Sequence, residues 1–497
     1  MPFEYAPAPE SPSIVDIRSS YGLFINGEFT DAKDGERFKT INPASEDVLA
    51  EVVAAGPADV DRAVAAARDA YDHRWRDLPG RERAKYLFRL ARLIQERARE
   101  LAVLESIDNG KPIRESRDVD LPLVAAHFFY YAGWADKLRY AVPGRPDPRP
   151  LGVAAQVIPW NFPLLMLAWK IAPALAAGNT VVLKPAETTP LTALHFAQLC
   201  QQAELPPGVV NIVTGAGETG RLLVEHPGVD KVAFTGSTEV GRAIARAVAG
   251  TRKKLTLELG GKAANIVFDD APVDQAVEGI VNGIFFNQGH VCCAGSRLLV
   301  QESVAEEVLA ALKRRMATLR LGDPLDKNTD VGAINSAAQL ARIRELSEAG
   351  TAEGAEPWSA PCELPERGFW FVPTIFTGVS QAHRIAQEEI FGPVLSLIRV
   401  PDGASALSAA NGVRFGLSAS VYTNDVASMF RFVDRLDAGI IHVNSPTVGG
   451  EAHIPFGGMK ATGVGLREMG RVAIDFYTEL KVVYVDYTGG VRKTNLY

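Results

Sequence analysis

The apolar and polar positions of this chain change their period several times, and each change predicts an element. Leu23-Phe24-Ile25-Asn26-Gly27-Glu28-Phe29 alternates and is broken by glycine, the pattern of a hairpin. Helical periodicity follows. Ala58 to Tyr71 begins behind Pro57, and Gly80 to Leu104 carries Leu87, Leu90, Leu93, Ile94, Leu101 and Leu104 between abundant Arg and Glu. A further helix, Leu121 to Leu138, is rich in aromatic residues (Phe128, Phe129, Tyr130, Tyr131, Trp134) and is expected to pack in a core.

From Gly152 the pattern becomes strand, turn, helix, repeated: strands at Gly152 to Ile158, Thr180 to Lys184, Val209 to Val213 and Lys231 to Phe234, the last followed by a helix from Ser237. Such alternation predicts a parallel sheet covered on both faces, with a nucleotide site at its carboxyl edge. After Leu259 the alternation resumes through Ala264 to Phe268, Arg297 to Val300 and Val394 to Arg399. The fold class is therefore α/β with two domains, and Gly260-Gly261 is the expected hinge. Pro150 to Trp169 contains no charged residue and is long enough to suggest a membrane span, but Pro159, Asn161 and Pro163 interrupt it. A buried strand, tight turn and helix account for it better.

Composition narrows the class. At 497 residues more than one core is expected, and 47% hydrophobic with 22% charged residues is an ordinary globular balance. A net charge of −7 disfavours nucleic acid or an anionic membrane as partner. Four cysteines (Cys200, Cys292, Cys293, Cys362) form neither a disulfide framework nor a CxxC metal pattern, so no metal is expected and a reducing compartment is. Residues 1–20 hold Pro2, Pro7, Pro9 and Pro12 with no apolar core, which reads as a loose arm, not a signal peptide, and points to the cytoplasm.

Three stretches carry candidate chemistry. Phe285 to Arg297 sets Cys292 and Cys293 in an apolar, Gly-bounded turn, Leu257-Glu258-Leu259-Gly260-Gly261-Lys262 offers a carboxylate, and Pro159-Trp160-Asn161-Phe162-Pro163 offers an amide. An isolated cysteine usually packs as a small hydrophobe, Asn161 could merely form a turn, and Glu258 could be a strand-end acid. Together they are a nucleophile, a base and an oxyanion donor. For a nucleotide, Gly215-Ala216-Gly217-Glu218-Thr219-Gly220 matches G-x-G-x-x-G between a strand and a helix, against the alternative of a plain glycine turn.

These stretches resemble those of the aldehyde dehydrogenase superfamily, and the likeness runs from about Phe24 to Tyr484. The resemblance implies a Rossmann-type cofactor domain (1–137 and 151–259), a catalytic thiol domain (260–440), a segment returning to close the site (441–477) and a small oligomerisation segment (138–150 and 478–497). It implies NAD-dependent oxidation of a small-molecule aldehyde to the acid, with Cys292 as nucleophile, Asn161 as oxyanion donor and Glu258 as general base. Lys170 and Glu468 fall on positions associated with proton relay.

For the cofactor the resemblance shifts the weight from Gly215–Gly220 to Phe234-Thr235-Gly236-Ser237-Thr238-Glu239-Val240-Gly241, one unit later. It implies Phe234, Gly236, Ser237 and Gly241 in the site, with Ile158, Pro159, Trp160, Gly217 and Leu259 around them. Lys184 and Glu187 match the adenosine-ribose site, where a carboxylate would repel a 2′-phosphate and favour NAD over NADP; Glu389 and Phe391 match the nicotinamide clamp. Phe162, Met166, Trp169, Phe286, Val291, Cys293 and Phe456 would line the substrate tunnel, suiting neutral aliphatic or aromatic aldehydes. Where the family often has Gln and Cys, this chain has His290 and Val291. An acylating relative passing its thioester to coenzyme A would not need Glu258. The connection Leu138 to Pro150 is short and holds Pro143, Pro146, Pro148 and Pro150, so a long exchanged β-arm is not expected. Lys481 to Tyr487 alternates like a strand. A homodimer is expected, with a tetramer as the alternative.

Overall fold

The strand and helix alternation from Gly152 closes into a sheet whose strand order reverses at its centre. In a computed structural model, which describes residues 6–33, 35–141 and 148–485, eight strands pair in one sheet. Its middle five run parallel, in the order Lys254–Glu258, Lys231–Thr235, Val153–Val157, Thr180–Lys184, Val210–Ile212. The chain builds outward from Val153–Val157 in one direction and then restarts beside it with Lys231–Thr235. The loops that leave these two neighbouring strands therefore diverge and open a crevice at their carboxyl ends. The expected hairpin is present as Leu23–Ile25 and Glu28–Thr30 and closes one edge, antiparallel to Val210–Ile212. The other edge is taken by Gly463–Val464 from the far end of the chain.

A second sheet of seven strands is parallel except for its edge strand Glu356–Ser359. Ala264–Val267, Arg297–Gln301 and Val394–Val400 lie near its middle, where sequence pattern placed strands. Gly260 and Gly261 join the two sheets. Their role is close approach: a Cβ on Gly260 would collide with the Glu389 carboxylate, and one on Gly261 with the Cys292 carbonyl oxygen.

Two expectations are corrected. The helical stretch from Gly80 to Leu104 is two helices, Gly80–Glu96 and Ala98–Asn109, with Arg97 (φ −103°, ψ 17°) between them. The first buries one face, whereas every residue from Leu101 to Asn109 is buried, so the two halves cannot share one axis along the surface. The aromatic helix ends at Trp134, and of its five rings only Phe128 and Tyr131 are fully buried. At the carboxyl end Thr478–Glu479 pairs antiparallel with Arg149–Pro150 of the proline-rich connection. Residues 481–485 are exposed and join no strand, and the rest of that stretch lies outside the described residues, as do residues 142–147.

The charge-free segment is the strand Val153–Val157 and the first half of the helix Pro163–Ala177, which is buried on all sides. Its apolar periphery meets protein, and among the described residues no helix is long and apolar enough to cross a membrane.

Candidate active site

Lys170 is the one charged residue of that buried helix, and a buried ammonium needs a partner. Glu468 supplies it at 2.5 Å, with both side chains essentially inaccessible. The Glu468 carboxylate and burial together bear on Glu258, which sits at the end of the strand Lys254–Glu258. Burial first, then Glu468, hold the Glu258 carboxyl well above its ordinary range, with Lys170 and Arg467 opposing. One oxygen, Oε2, is buried with no hydrogen-bond partner among the described residues. A carboxyl held up in this way takes a proton more readily than a free carboxylate, which suits a general base.

The nucleophile loop begins where the helix Val273–Phe285 ends. Asn287 (φ 47°, ψ 43°) and Gln288 (φ 52°, ψ 26°) are left-handed, and Gly289 follows at φ 76°. Left-handed backbone costs an L-residue about 1–2 kcal/mol, so outside contacts must hold this turn. Gln288 is held from one side, donating from Nε2 to Ala333 O at 3.0 Å. Gly289 has no alternative, because a Cβ there would collide with the Gly392 carbonyl. The turn delivers Cys292 to the wall of a cavity of about 830 Å³, while Cys293 beside it is buried. The neighbouring Cys293 thiol, then burial, push the Cys292 thiol well up, with Glu389 and Glu258 adding to it. Its resting form is the thiol, and activation requires a proton acceptor.

Asn161 faces the same cavity from the loop after Val153–Val157. Its Nδ2 donates one hydrogen to His290 O at 2.8 Å, which orients the amide and leaves the second hydrogen available. Among the described residues nothing accepts from the Cys292 N–H. Two donors are thus present for an oxyanion.

Residues from both sheets and the returning segment line this one cavity. Its lining includes Phe162, Met166, Trp169, Phe286, Val291, Cys293 and Phe456, all seven expected tunnel residues. Phe162 stacks on Phe286 at 6.1 Å, and Trp169 meets Phe456 edge-on at 4.9 Å. Pro159, Trp160, Gly236, Ser237, Leu259, Glu389 and Phe391 line it too. Ser237 caps the helix Thr238–Val248, accepting from Val240 N at 3.2 Å, so that the helix amino end opens on the cavity. Burial pushes Glu389 up to about 7, and its Oε1 accepts the Gly261 N–H at 3.0 Å.

Six expected cofactor residues are not in the cavity wall. Ile158, Phe234 and Gly241 are buried beneath it; Gly241 packs against Leu259. Lys184 and Glu187 pair with each other at 3.2 Å beyond the cavity. Gly217 opens the helix Gly217–Glu225, which follows an outer strand and not one of the two at the reversal. The G-x-G-x-x-G match therefore misses the crevice, and Thr235 to Glu239 occupies it. Sequence reasoning missed Asp120, Gln339, Arg342 and Arg414, which also line the cavity. Their only signal is position in three dimensions. Lys170 and Glu468 stand behind the wall, against Glu258.

A two-sheet α/β chain with a nucleotide crevice and a thiol, carboxyl and amide in one cavity defines an oxidoreductase of the covalent-thiol class. The chain belongs to the aldehyde dehydrogenase family, which matches residues 29–483. An aldehyde dehydrogenase of Alternaria alternata is 43% identical, covering 96% of this chain and 97% of its own. Human retinal dehydrogenase 2 is 44% identical over 93% of this chain and 91% of its own. Among solved structures, an aldehyde dehydrogenase from Bacillus cereus in complex with NAD+ superposes with a TM-score of 0.91 at 41% identity, covering 95% and 98% of the two chains. An indole-3-acetaldehyde dehydrogenase of P. syringae in complex with NAD+ and IAA does so at 0.90 and 41%, covering 95% and 97%.

Proposed function

We propose that this protein oxidises neutral aldehydes to carboxylic acids with NAD, through a thioester on Cys292. The observation that carries this is the single cavity in which Cys292, Glu258 and Asn161 stand between an apolar tunnel and a helix amino end. The residues present fit the cofactor. The Ser237-capped amino end suits a pyrophosphate, Glu389 can accept from a ribose hydroxyl, and Trp160 and Phe391, 5.2 Å apart, form an aromatic corner. Lys184 and Glu187 lie beyond, and the Glu187 carboxylate would repel a 2′-phosphate, which favours NAD over NADP.

Cys292 Sγ adds to the aldehyde carbon once its proton has passed to a base in the wall, for which Glu258 is suited. The Asn161 amide and the Cys292 N–H hold the developing oxyanion, each donor worth about 2.7–4 kcal/mol. When bound, NAD supplies the two-electron acceptor that takes hydride from the tetrahedral carbon and leaves an acyl group on sulfur. Glu258 then draws a proton from water as it attacks the thioester. Lys170 and Glu468 set the charge behind Glu258 and give its proton an onward path.

The seven tunnel residues carry no charge and offer a substrate carboxylate no partner among themselves. Carboxylate-bearing semialdehydes are therefore disfavoured. NADH production from hexanal, benzaldehyde and succinic semialdehyde, with and without coenzyme A, tests the assignment. Turnover independent of coenzyme A, with kcat/KM highest for the neutral aldehydes, is expected. Dependence on coenzyme A would indicate an acylating enzyme, and preference for the semialdehyde would overturn the substrate class. We infer a cytoplasmic homodimer.

A further inference from the structure

The strained turn that carries the nucleophile is tied to the oxyanion donor by a closed set of hydrogen bonds centred on Asn287. Its Nδ2 donates to Asn161 O at 2.7 Å, Asn161 Nδ2 donates to His290 O at 2.8 Å, and His290 N donates back to Asn287 O at 2.8 Å. One bond leaves this set. The Asn287 N–H donates at 2.8 Å to Oε2 of Glu115, 172 residues away in the chain.

We propose that Glu115 is a positioning residue for the reaction: by accepting the Asn287 N–H it holds the left-handed turn in which Cys292 and Asn161 come into register. The inference rests on Cys292 being the nucleophile, as proposed above. The reason begins with the backbone. Phe286 (φ −52°, ψ 135°) ends the preceding helix, so the next N–H has no carbonyl one turn back to accept it. A buried N–H without a partner strongly disfavours the conformation that creates it. Glu115 is 5% exposed and supplies that partner. It comes from a helical turn, Ile113–Glu115, in which no other residue touches the nucleophile loop by hydrogen bond.

The same turn is anchored by charge. Lys111, fully buried, pairs with Asp120 at 2.6 Å and Glu105 at 3.4 Å, and its ammonium lies 4.4 Å from the centre of the Phe162 ring. Phe162 lines the tunnel beside Phe286, the residue before Asn287. Burial pushes the Glu115 carboxyl up to about 8 against the pull of Lys111 and the Asn287 N–H. An acceptor oxygen remains in either protonation state. What the turn uses is the acceptor, and an amide can replace the carboxyl.

The test compares Glu115→Gln, Glu115→Ala and Glu115→Asp in the full-length protein with NAD and benzaldehyde. Three readouts are needed: the rate of the NADH burst, the rate of iodoacetamide alkylation at Cys292 read by peptide mass, and the Kd for NAD. Removing the acceptor should slow burst and alkylation about tenfold or more, as expected for a misplaced reacting group, with the Kd for NAD within about twofold. Gln should restore both rates to within about threefold of the parent, whereas Asp, keeping the carboxyl but one methylene too short, should not. A folded Ala variant at the parental rate, or Gln as impaired as Ala, overturns the proposal. Should Ala fail to fold, Gln and Asp still decide it, because Asp at the parental rate or Gln below Asp also overturns it. A Cys292→Ala control separates the two levels: a surviving burst there sinks the nucleophile assignment itself, whereas its loss with indifferent Glu115 variants sinks only the role of Glu115.

Discussion

At the scale of single residues, the cavity pairs two groups whose acidities have both been lowered. Cys292 and Glu258 each favour their neutral form, Cys292 through its neighbour Cys293 and burial, Glu258 through burial and Glu468. Cys292→Ala should abolish aldehyde oxidation, while Cys293→Ala, losing a neighbour and not the reacting atom, should keep most turnover; steady-state NADH production distinguishes them. Glu258→Gln should show a slowed burst of NADH followed by still slower turnover, because water can replace Glu258 as acceptor of the thiol proton but not as the base that activates the hydrolytic water. The pH dependence has a definite sign. Glu258 acts as a base only when ionised, and its pKa lies above the usual carboxylate value of about 4.3. Deacylation should therefore rise with pH through that raised value and then level off. Stopped-flow measurement of the hydrolytic phase should show this rise in the parent and lose it in Glu258→Gln.

At the scale of elements, the site depends on places where the backbone comes too close for a side chain. Gly261 passes directly over the Cys292 carbonyl. Gly261→Ala should push the nucleophile loop aside, lowering kcat about a hundredfold for a displacement on the order of 1 Å. Destabilisation should stay within about 0.5–3 kcal/mol, since most of the core is untouched. Burst kinetics together with a thermal melt separate the two effects. Loss of stability without loss of burst rate would mean that the loop relaxes elsewhere. The break at Arg97 teaches the same lesson in a helix: periodicity alone carries on through it, but the neighbours of Leu101–Asn109 enclose that half on every side.

At the scale of the whole molecule, apolar side chains remain uncovered along one sheet edge and beyond it. Val464 on the edge strand is 54% exposed and Leu466 53%, and Val482, Val483 and Tyr484 are more than half exposed. Exposed apolar residues gathered near a sheet edge mark a surface for association. The described end of the short proline-bearing connection pairs within its own chain. A light-scattering mass near twice 53.5 kDa is expected at micromolar concentration. A mass near four times that value would replace the dimer with a tetramer.

Much of this protein was legible without coordinates because local chemistry repeats locally. The order of strands and helices from Gly152 onward follows from periodicity, and Cys292, Glu258 and Asn161 stand out through their immediate neighbours. Residues far apart in the chain were not so decided. By spacing Gly215–Gly220 is the better phosphate turn, and the family resemblance alone shifted the weight to Phe234–Gly241. Only the reversal of strand order between Val153–Val157 and Lys231–Thr235 puts the second at the crevice. Lys170 announces a need for a partner but not that Glu468 meets it. Nothing near Glu115 announces Asn287, since a backbone N–H looks the same at every position until the turn around it leaves it unpaired. The sequence by itself determined the elements and the reactive side chains, through contacts within a few residues. Tertiary structure alone decided which of them share a cavity, because packing of the two sheets sets distances that no spacing along the chain encodes.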